Sequence, residues 1–214
     1  MRYSEMKVIE MRRESRLAHL RLDSGAMSAP AIGWRIGGIV LALGLLLALA
    51  ACGSSTVYRD QAAPMTTNGP VDLERYQGLW YEIARFPNSF EEGCVGVTAE
   101  YTLNADGTVK VLNTCRQGSL DGPVETAEGV ATSVSPDNDR LEVTFVPWLP
   151  FARGDYWILQ TDYQVAVIGN PAGTTGWILA RTPVLPDIDL KRGFAVLQKN
   201  GYDISQITVI EQQQ

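Results

Sequence analysis

From residue 78 onward, apolar and polar residues alternate in short runs that are separated by turn sequences. In the run 95–103, Val97, Ala99 and Tyr101 alternate with small or polar residues, as in a strand with one buried and one solvated face. The turn Asn104-Ala105-Asp106-Gly107 then leads into a second run of the same kind. The pattern predicts eight main strands, at 80–85, 95–103, 109–113, 125–132, 140–145, 156–160, 164–169 and 176–181. Such a succession is typical of an all-β antiparallel barrel or sandwich.

The pattern changes after Pro186, where helical spacing replaces alternation. Apolar residues now recur three and four positions apart, at Leu190, Phe194 and Leu197. Asp187 is predicted to cap this helix, and Asn200-Gly201 to end it. A last short strand is predicted at 207–210, before a polar tail. The sequence therefore predicts one all-β domain over residues 72–214, with one C-terminal α-helix.

The N-terminal part carries an apolar run from Ile36 that ends in Leu49-Ala50-Ala51-Cys52. Arg35 gives it a positive flank, and the run is shorter than the roughly 20 residues that a spanning helix needs. Small residues before a cysteine are typical of a bacterial lipoprotein signal, whereas a buried or membrane helix is the alternative interpretation. We interpret 1–51 as a leader with a signal peptide, with Met27 as a candidate true start. Cys52 is then the lipidated residue, a site for palmitate.

A polar stretch follows Cys52, and we expect residues 52–71 to comprise the lipidated cysteine and a flexible tether. Gly53 stands directly after the cysteine. The resemblance to Gram-negative lipoproteins implies sorting to the outer membrane, on either its periplasmic or its surface face. The expected membrane contact is the lipid anchor.

The residues after Cys52 are strongly acidic: positions 53–214 contain 11 Lys and Arg against 20 Asp and Glu, a formal charge of −9. This charge argues against nucleic acid as a partner, because phosphate binding needs a basic surface. His19 is the one histidine of the chain and lies in the leader. The mature part therefore lacks the imidazole of Ser-His or Cys-His catalysis, of His-ligated haem and of His-containing zinc sites. We predict no catalytic residue, no metal site and no cofactor.

Cys94 and Cys115 remain once Cys52 is assigned to lipid, and in an exported protein an even pair predicts a disulfide. Two reduced, buried thiols are the alternative. Both cysteines lie near the open ends of the hairpin around 104–107. Strict alternation places them on opposite faces, so the bond requires Cys94 to lie in an irregular loop before the strand.

Three motifs of this chain resemble those of the lipocalin family. Gly78-Leu79-Trp80 is similar to the Gly-x-Trp motif of the first lipocalin strand, in the form shared by bacterial lipocalins and apolipoprotein D. Thr161-Asp162-Tyr163 is similar to the second motif, and the stretch ending in Ala180-Arg181 to the third. The resemblance covers about 72–209. It implies an eight-stranded up-and-down barrel, closed at one end, with room for one small ligand.

The motif residues have structural rather than catalytic roles in this interpretation. The resemblance implies that Trp80 plugs the closed end, with Arg181 across its ring, and Gly78, Asp162 and Tyr163 are likewise interpreted as fold elements. Alternation and the resemblance together predict a set of lumen residues that bind the ligand, some of which pack the closed end instead: Val97, Tyr101, Val111, Asn113, Val143, Phe145 and Trp177. Loops at 88–93 and 146–151 are expected at the open end, the second being unusually apolar, with Trp148 near its tip.

Two functions of different class remain open on the sequence. The first is a lipid-anchored binding protein that holds fatty acids, lysophospholipids or similar amphiphiles in its barrel, in membrane lipid transport or maintenance, with Tyr101, Asn113 or Arg153 near the polar head. The second is an enzyme on the same scaffold, acting on a lipophilic substrate through the inward carboxylate of Glu82, with Asp155 or Tyr156 as its companion. The sequence does not distinguish a monomer from a dimer.

Overall fold

The structure is a computed structural model that describes residues 55–146 and 152–213. The described chain forms eight antiparallel strands in an up-and-down barrel. They are β1 (Gly78–Arg85), β2 (Cys94–Leu103), β3 (Val109–Gln117), β4 (Val124–Ser133), β5 (Arg140–Thr144), β6 (Gly154–Thr161), β7 (Val165–Gly169) and β8 (Gly176–Ala180). Because β1 pairs with both β2 and β8, the sheet closes on itself. The predicted eight-stranded barrel is confirmed, with strand ends that differ from the predicted ones by a few residues.

The barrel has two different ends. At the end that we call the base, β1 begins and a tight turn over 104–108 joins β2 to β3. At the opposite end, which we call the mouth, the loop 86–93 leads from β1 to β2. Inward-facing apolar side chains form one cluster inside the barrel, with Trp80, Tyr101, Val109, Val111, Leu141, Ile158 and Ile168 among its buried members. Outward-facing ones form a second, with Phe86, Leu159, Val167, Ile178 and Leu197.

Helix α2 (Asp187–Lys199) covers the second cluster from outside. A Cβ on Gly193 would lie 2.8 Å from Cδ1 of Ile178, so glycine lets this helix approach the barrel closely. The predicted cap by Asp187 is wrong. Asp187 is the first helical residue, and the N-cap position is occupied by Pro186, whose carbonyl accepts the N–H groups of Asp189 and Leu190. The predicted end at Asn200-Gly201 is confirmed, since Gly201 has a φ of +87°.

Residues 57–71, which we call the N-terminal strap, pack along the outside of the barrel. Tyr58 stacks on Phe86 at 4.9 Å between ring centroids, and its hydroxyl donates to the carbonyl of Pro87 at 2.6 Å. Arg59 is buried, and its Nε donates to the carbonyl of Asn200 at 2.7 Å. The flexible tether expected over 52–71 is therefore wrong for the strap. Its backbone groups find distant partners in the barrel, and polar composition alone does not reveal such partners.

The strap runs from the mouth side to the base. The Asn68 N–H donates to the Ile158 carbonyl at 2.9 Å, and the Val71 N–H to that of Asp137 at 2.8 Å. The chain then enters a short helix, α1 (Leu73–Tyr76), which Asp72 caps. The compact unit of the barrel thus begins at Thr56 rather than at residue 72. The predicted leader and Cys52 lie outside the described residues. Within the part described, no helix has the length and apolar character to cross a membrane.

The last strand, β9 (Thr208–Val209), pairs with the mouth half of β1. The segment after it also contacts β2, because the Gly96 N–H donates to the Glu211 carbonyl at 2.8 Å. The side-chain amide of Gln212 donates to the carbonyls of Glu82 and Val97 at 2.7 and 3.0 Å. The C-terminal residues therefore join β1 to β2 near the mouth.

Candidate functional site

The base of the barrel is sealed by Trp80 and Arg181. Trp80 is fully buried, and the guanidinium carbon of Arg181 lies 3.9 Å from its ring centroid, in cation–π geometry. Arg181 also donates to the carbonyls of Leu79 at 2.8 Å and Tyr163 at 3.2 Å. The indole N–H of Trp80 donates to the Tyr76 carbonyl at 2.8 Å. The roles expected for Trp80 and Arg181 match this geometry.

Two further motif positions support the same seal. Gly78 has a φ of +89°, and a Cβ there would lie 3.4 Å from Nη1 of Arg181. Asp162 turns the chain between β6 and β7, because its carboxylate accepts the N–H groups of Gln164 and Val165 at 2.8 Å. In the same turn, the Tyr163 hydroxyl accepts the Asp72 N–H at 3.0 Å. All these groups are occupied by structural contacts.

A β-bulge in β1 brings two opposite charges into the barrel near its mouth. The pairing with β8 shifts register between Glu82 and Ala84. Alternation from Trp80 directs Glu82 inward, and the extra residue then directs Arg85 inward, opposite Trp177. Nη1 of Arg85 donates to Oε1 of Glu82 at 2.6 Å. The inward position of Glu82 was expected from the sequence, whereas Arg85 was missed because the bulge reverses its parity.

Burial controls the electrostatics of this pair. Desolvation raises the pKa of Glu82 well above its ordinary value, and the nearby Glu91 raises it further, against the opposing effect of Arg85. Nη2 of Arg85 donates to the carbonyls of Glu91 at 2.8 Å and Cys94 at 3.0 Å. The Arg85 guanidinium is therefore occupied by contacts within the protein.

The mouth loop 86–93 folds back toward the lumen through Glu91. Oε2 of Glu91 accepts the indole N–H of Trp177 at 3.2 Å and also an amide N–H of Asn88. Phe90, which is 47 % exposed, lies with its ring centroid 6.5 Å from that of Trp177. The loop is thus tied to a predicted ligand residue. The loop tip around Trp148 lies outside the described residues.

The predicted disulfide between Cys94 and Cys115 is confirmed, with a Cα–Cα distance of 5.4 Å. It closes a separation of 21 residues, for which chain entropy suggests a stabilisation of about 3 kcal/mol. The expectation that Cys94 lies in an irregular loop is wrong, since Cys94 begins β2 and pairs with Gln117. A second bulge, at Gly96 with its φ of +56°, changes the parity between Cys94 and the rest of the strand.

Three tyrosines cross the interior just above the base. The Tyr156 hydroxyl lies 2.9 Å from that of Tyr76 and 3.1 Å from that of Tyr101. Tyr101 is on β2 and Tyr156 on β6, four strands away around an eight-stranded barrel, so the contact spans its diameter. We call these three residues the tyrosine layer. Tyr101 was predicted as a lumen residue, but Tyr76 was missed, because its helix lies before the first predicted strand.

The predicted ligand residues differ in how much of their surface is buried. Tyr101 and Val111 are buried in the inner cluster. Val97 is also buried, but it lies toward the mouth end of β2 and packs beside the disulfide and Ile210 rather than in that cluster, which does not match its predicted place in the lumen. Half-buried positions lie nearer the mouth, at Asn113, Val143 and Trp177. Phe145 lies just beyond the end of β5 and is 40 % exposed, with its ring against Gly129. The barrel interior is thus closed and filled near the base and more open near the mouth.

Other candidates from the sequence occupy exposed positions. Arg153 is paired with Glu142 at 3.1 Å, outside the inner cluster, and Asp155 is exposed. Within the described ranges, no group of three or more His, Cys, Asp or Glu side chains is placed to hold a metal ion. What the described interior offers is apolar surface, the tyrosine layer and a paired carboxylate.

Comparison with known proteins agrees with this geometry. Residues 71–212 match a family model described as a lipocalin-like domain. Temperature-induced lipocalin-1 of Arabidopsis thaliana is 40% identical over 146 residues, covering 64% of this chain and 77% of that protein. Apolipoprotein D of Macaca fascicularis is 34% identical, covering 82% and 97%. Outer membrane lipoprotein Blc of Escherichia coli K12 is also 34% identical, covering 83% of this chain and 98% of that protein.

Solved structures show the same fold at lower identity. Insecticyanin from the tobacco hornworm Manduca sexta superposes with a TM-score of 0.56 at 20% identity, covering 75% of this chain and 91% of that one. The cockroach allergen Per a 4 gives a TM-score of 0.53 at 22% identity, covering 72% and 97%. These structural matches support the barrel fold.

Proposed function

The chain belongs to the lipocalin family, and on that premise we propose that it binds small hydrophobic ligands, in particular lipids with long acyl chains, inside its barrel. The observation that carries this proposal is the gradient of burial along the inner wall. Val111 is buried, whereas Asn113, the next inward residue on the same strand, is half-buried. Inward residues that keep exposed surface border space, and apolar walls around space favour an acyl chain by about 0.8 kcal/mol per methylene.

Binding is favoured over catalysis by the state of the inward carboxylate. Glu82 is bound to Arg85 at 2.6 Å, and the backbone carbonyl of Glu82 accepts from Gln212. A catalytic carboxylate needs access to a substrate, yet Glu82 is 4 % exposed. The enzyme hypothesis also named Asp155, which is exposed on β6. We therefore propose that the protein is a binding protein and not an enzyme.

The test is a calorimetric titration of the purified protein with lysophospholipids and fatty acids of increasing chain length. Each added methylene should strengthen binding up to the length that fills the lumen, by as much as about fourfold per methylene when it is fully buried. Trp177→Ala should weaken binding of the longer chains, because the ring lines the half-buried part of the wall. Circular dichroism serves as the control for folding.

Affinity that does not change with chain length, or full binding by Trp177→Ala, would exclude the lumen as the site. Conversion of the lipid during incubation, followed by mass spectrometry, would support the enzyme instead. Lysophospholipids and fatty acids are the ligand classes proposed; lipid transport or maintenance is the corresponding biological role.

We further propose that the mature protein is anchored in the outer membrane through a lipid on Cys52. The support is the signal-like sequence that ends at Cys52 and the 34% identity to an outer membrane lipoprotein. Cys52→Ala should abolish labelling by radioactive palmitate and remove the protein from the membrane fraction. Cys115→Ala, which leaves Cys52 intact, is the matched control. Labelling that persists in Cys52→Ala would contradict the anchor.

A further inference from the structure

The tyrosine layer presents more hydrogen-bond donors than the described protein uses. Tyr76 and Tyr101 are 4 % and 8 % exposed, and Tyr156 is half-buried. Their three hydroxyl groups make two contacts, both through the oxygen of Tyr156. No other hydrogen-bond partner of these hydroxyls is found among residues 55–146 and 152–213.

The tyrosine layer has more phenol protons than hydrogen bonds that use them. Each phenol carries one donor proton, so three phenols carry three, and two hydrogen bonds use two of them. One proton remains without an acceptor, whichever way the hydroxyls rotate. If Tyr76 and Tyr101 both donate to Tyr156, the remaining proton is on Tyr156, which is half-buried and packs against the inner cluster. An unused donor inside a barrel favours a ligand that supplies an acceptor.

The phenols remain protonated at neutral pH. Burial raises the pKa of Tyr101 to about 12, and burial likewise raises the pKa values of Tyr76 and Tyr156 well above their ordinary value. The proton count therefore holds across the physiological range. The layer acts as a donor rather than as a phenolate.

The charge of the acceptor follows from the nearby cations. Arg85 is occupied by Glu82 and two backbone carbonyls. Arg181 is occupied by the Trp80 ring and four backbone carbonyls. A carboxylate at this depth would lose its hydration without gaining either cation, which is costly. An uncharged oxygen, such as a carbonyl, avoids this cost.

We propose that the lumen has a polar subsite at its floor, where the tyrosine layer donates one hydrogen bond to an uncharged oxygen, above all a carbonyl, on the innermost end of a long apolar ligand. This inference rests on the proposed binding function and specifies the ligand class further. A lysophospholipid that enters tail first would place only a methyl group at the subsite. A ligand with an oxygenated end therefore gains a contact that the lysophospholipid lacks.

The experiment uses a long-chain methyl ketone with a ¹³C-labelled carbonyl and the purified protein. Infrared spectroscopy should show the bound carbonyl stretch shifted to lower frequency than in an alkane solvent. Replacing all three residues, in Tyr76→Phe/Tyr101→Phe/Tyr156→Phe, should remove the shift and weaken ketone binding about five- to tenfold. Tyr101→Phe alone should keep the shift, because two phenols with one mutual hydrogen bond still leave one proton.

Two controls separate the subsite from general damage. Tyr58→Phe removes a phenol hydroxyl outside the barrel and should leave the shift unchanged. Binding of a lysophospholipid should weaken clearly less than ketone binding in the triple variant, since its innermost methyl group makes no use of the phenol donor. If the triple variant does not fold, a ketone of the same length with its carbonyl at mid-chain is bound to the wild-type protein instead; the shift should then be lost, because the oxygen no longer reaches the tyrosine layer.

Each remaining outcome is decisive. A bound ketone without a shift, a shift that persists in the triple variant, or equal weakening of ketone and lysophospholipid would overturn the subsite. Lysophospholipid binding without any ketone binding would overturn it while leaving the proposed function intact. Binding of neither ligand would overturn the proposed function itself.

Discussion

The base and the mouth of this barrel are built from similar residue types but use them differently. At the base, an arginine lies on a tryptophan ring and donates to surrounding carbonyls, and Trp80 is fully buried. At the mouth, Arg85 forms an ion pair with a carboxylate, and Trp177 stays half-buried with its N–H on Glu91. Side chains at the base thus fill the barrel interior, whereas polar side chains at the mouth border unfilled space.

This difference indicates where stability and binding reside. A fully packed aromatic residue contributes mainly to the free energy of unfolding, because its removal leaves a cavity. Truncation of a half-buried aromatic residue lowers the free energy of unfolding less, and more of its surface is available for a ligand. The two tryptophans and the two arginines make this comparison testable within one molecule.

The largest expected effect is that of Trp80→Ala, which should lower the free energy of unfolding by about 3–5 kcal/mol. Trp177→Ala, its matched partner at the mouth, should lower it by about 1 kcal/mol or less, since the ring is already partly in contact with solvent. Chemical denaturation followed by far-ultraviolet circular dichroism measures both. Equal losses for the two variants would remove the distinction between base and mouth.

A smaller effect is expected on the pH dependence of stability, through Glu82 at the mouth. Burial raises the pKa of Glu82 in the folded protein above its ordinary value of about 4.5, so the folded state binds the proton more tightly than the unfolded state. Ionisation of Glu82 therefore lowers the free energy of unfolding progressively as the pH rises above about 4.5. Below about pH 4.5 the carboxyl is protonated in both states, and it no longer lowers this free energy. The slope is at most about 1.4 kcal/mol per pH unit.

Glu82→Gln removes this titration while keeping an oxygen for Arg85. The free energy of unfolding of Glu82→Gln minus that of the wild type should therefore increase as the pH is raised from 4 to 7. Glu128→Gln, which replaces an exposed carboxylate on β4, is the matched control for the Glu-to-Gln change itself. A constant difference for Glu82→Gln would show that this carboxyl has an ordinary pKa in the folded state.

The base could be predicted from the sequence because its parts follow local rules. Trp80 and Arg181 belong to recognisable motifs, and Val109 and Val111, which alternate along β3, both lie in the inner cluster. Asp162 belongs to a recognisable motif as well, and in the structure its side chain accepts neighbouring N–H groups in the turn between β6 and β7.

The mouth was harder to predict, for a specific physical reason. One extra residue near Ile83 reverses the parity of β1, so that Arg85 faces inward, and no residue type marks the bulge. Gly96 carried a weak signal, since an isolated glycine in a strand often indicates a bulge. The strap was missed because its backbone and Arg59 bond to distant residues, as the Tyr58 N–H does to the Gly173 carbonyl and Arg59 to that of Asn200, beyond the reach of local patterns.

That strap has a consequence for the order in which the molecule folds. Arg59 pairs with Tyr202 across almost the whole barrel sequence, and β1 finds its partner β8 about 95 positions later. The hairpin of β2 and β3, by contrast, joins near neighbours and can form early, together with its disulfide. The first segment of the barrel therefore has to wait for the last: closure requires β8, and docking of the strap requires Tyr202, more than 140 positions after Arg59.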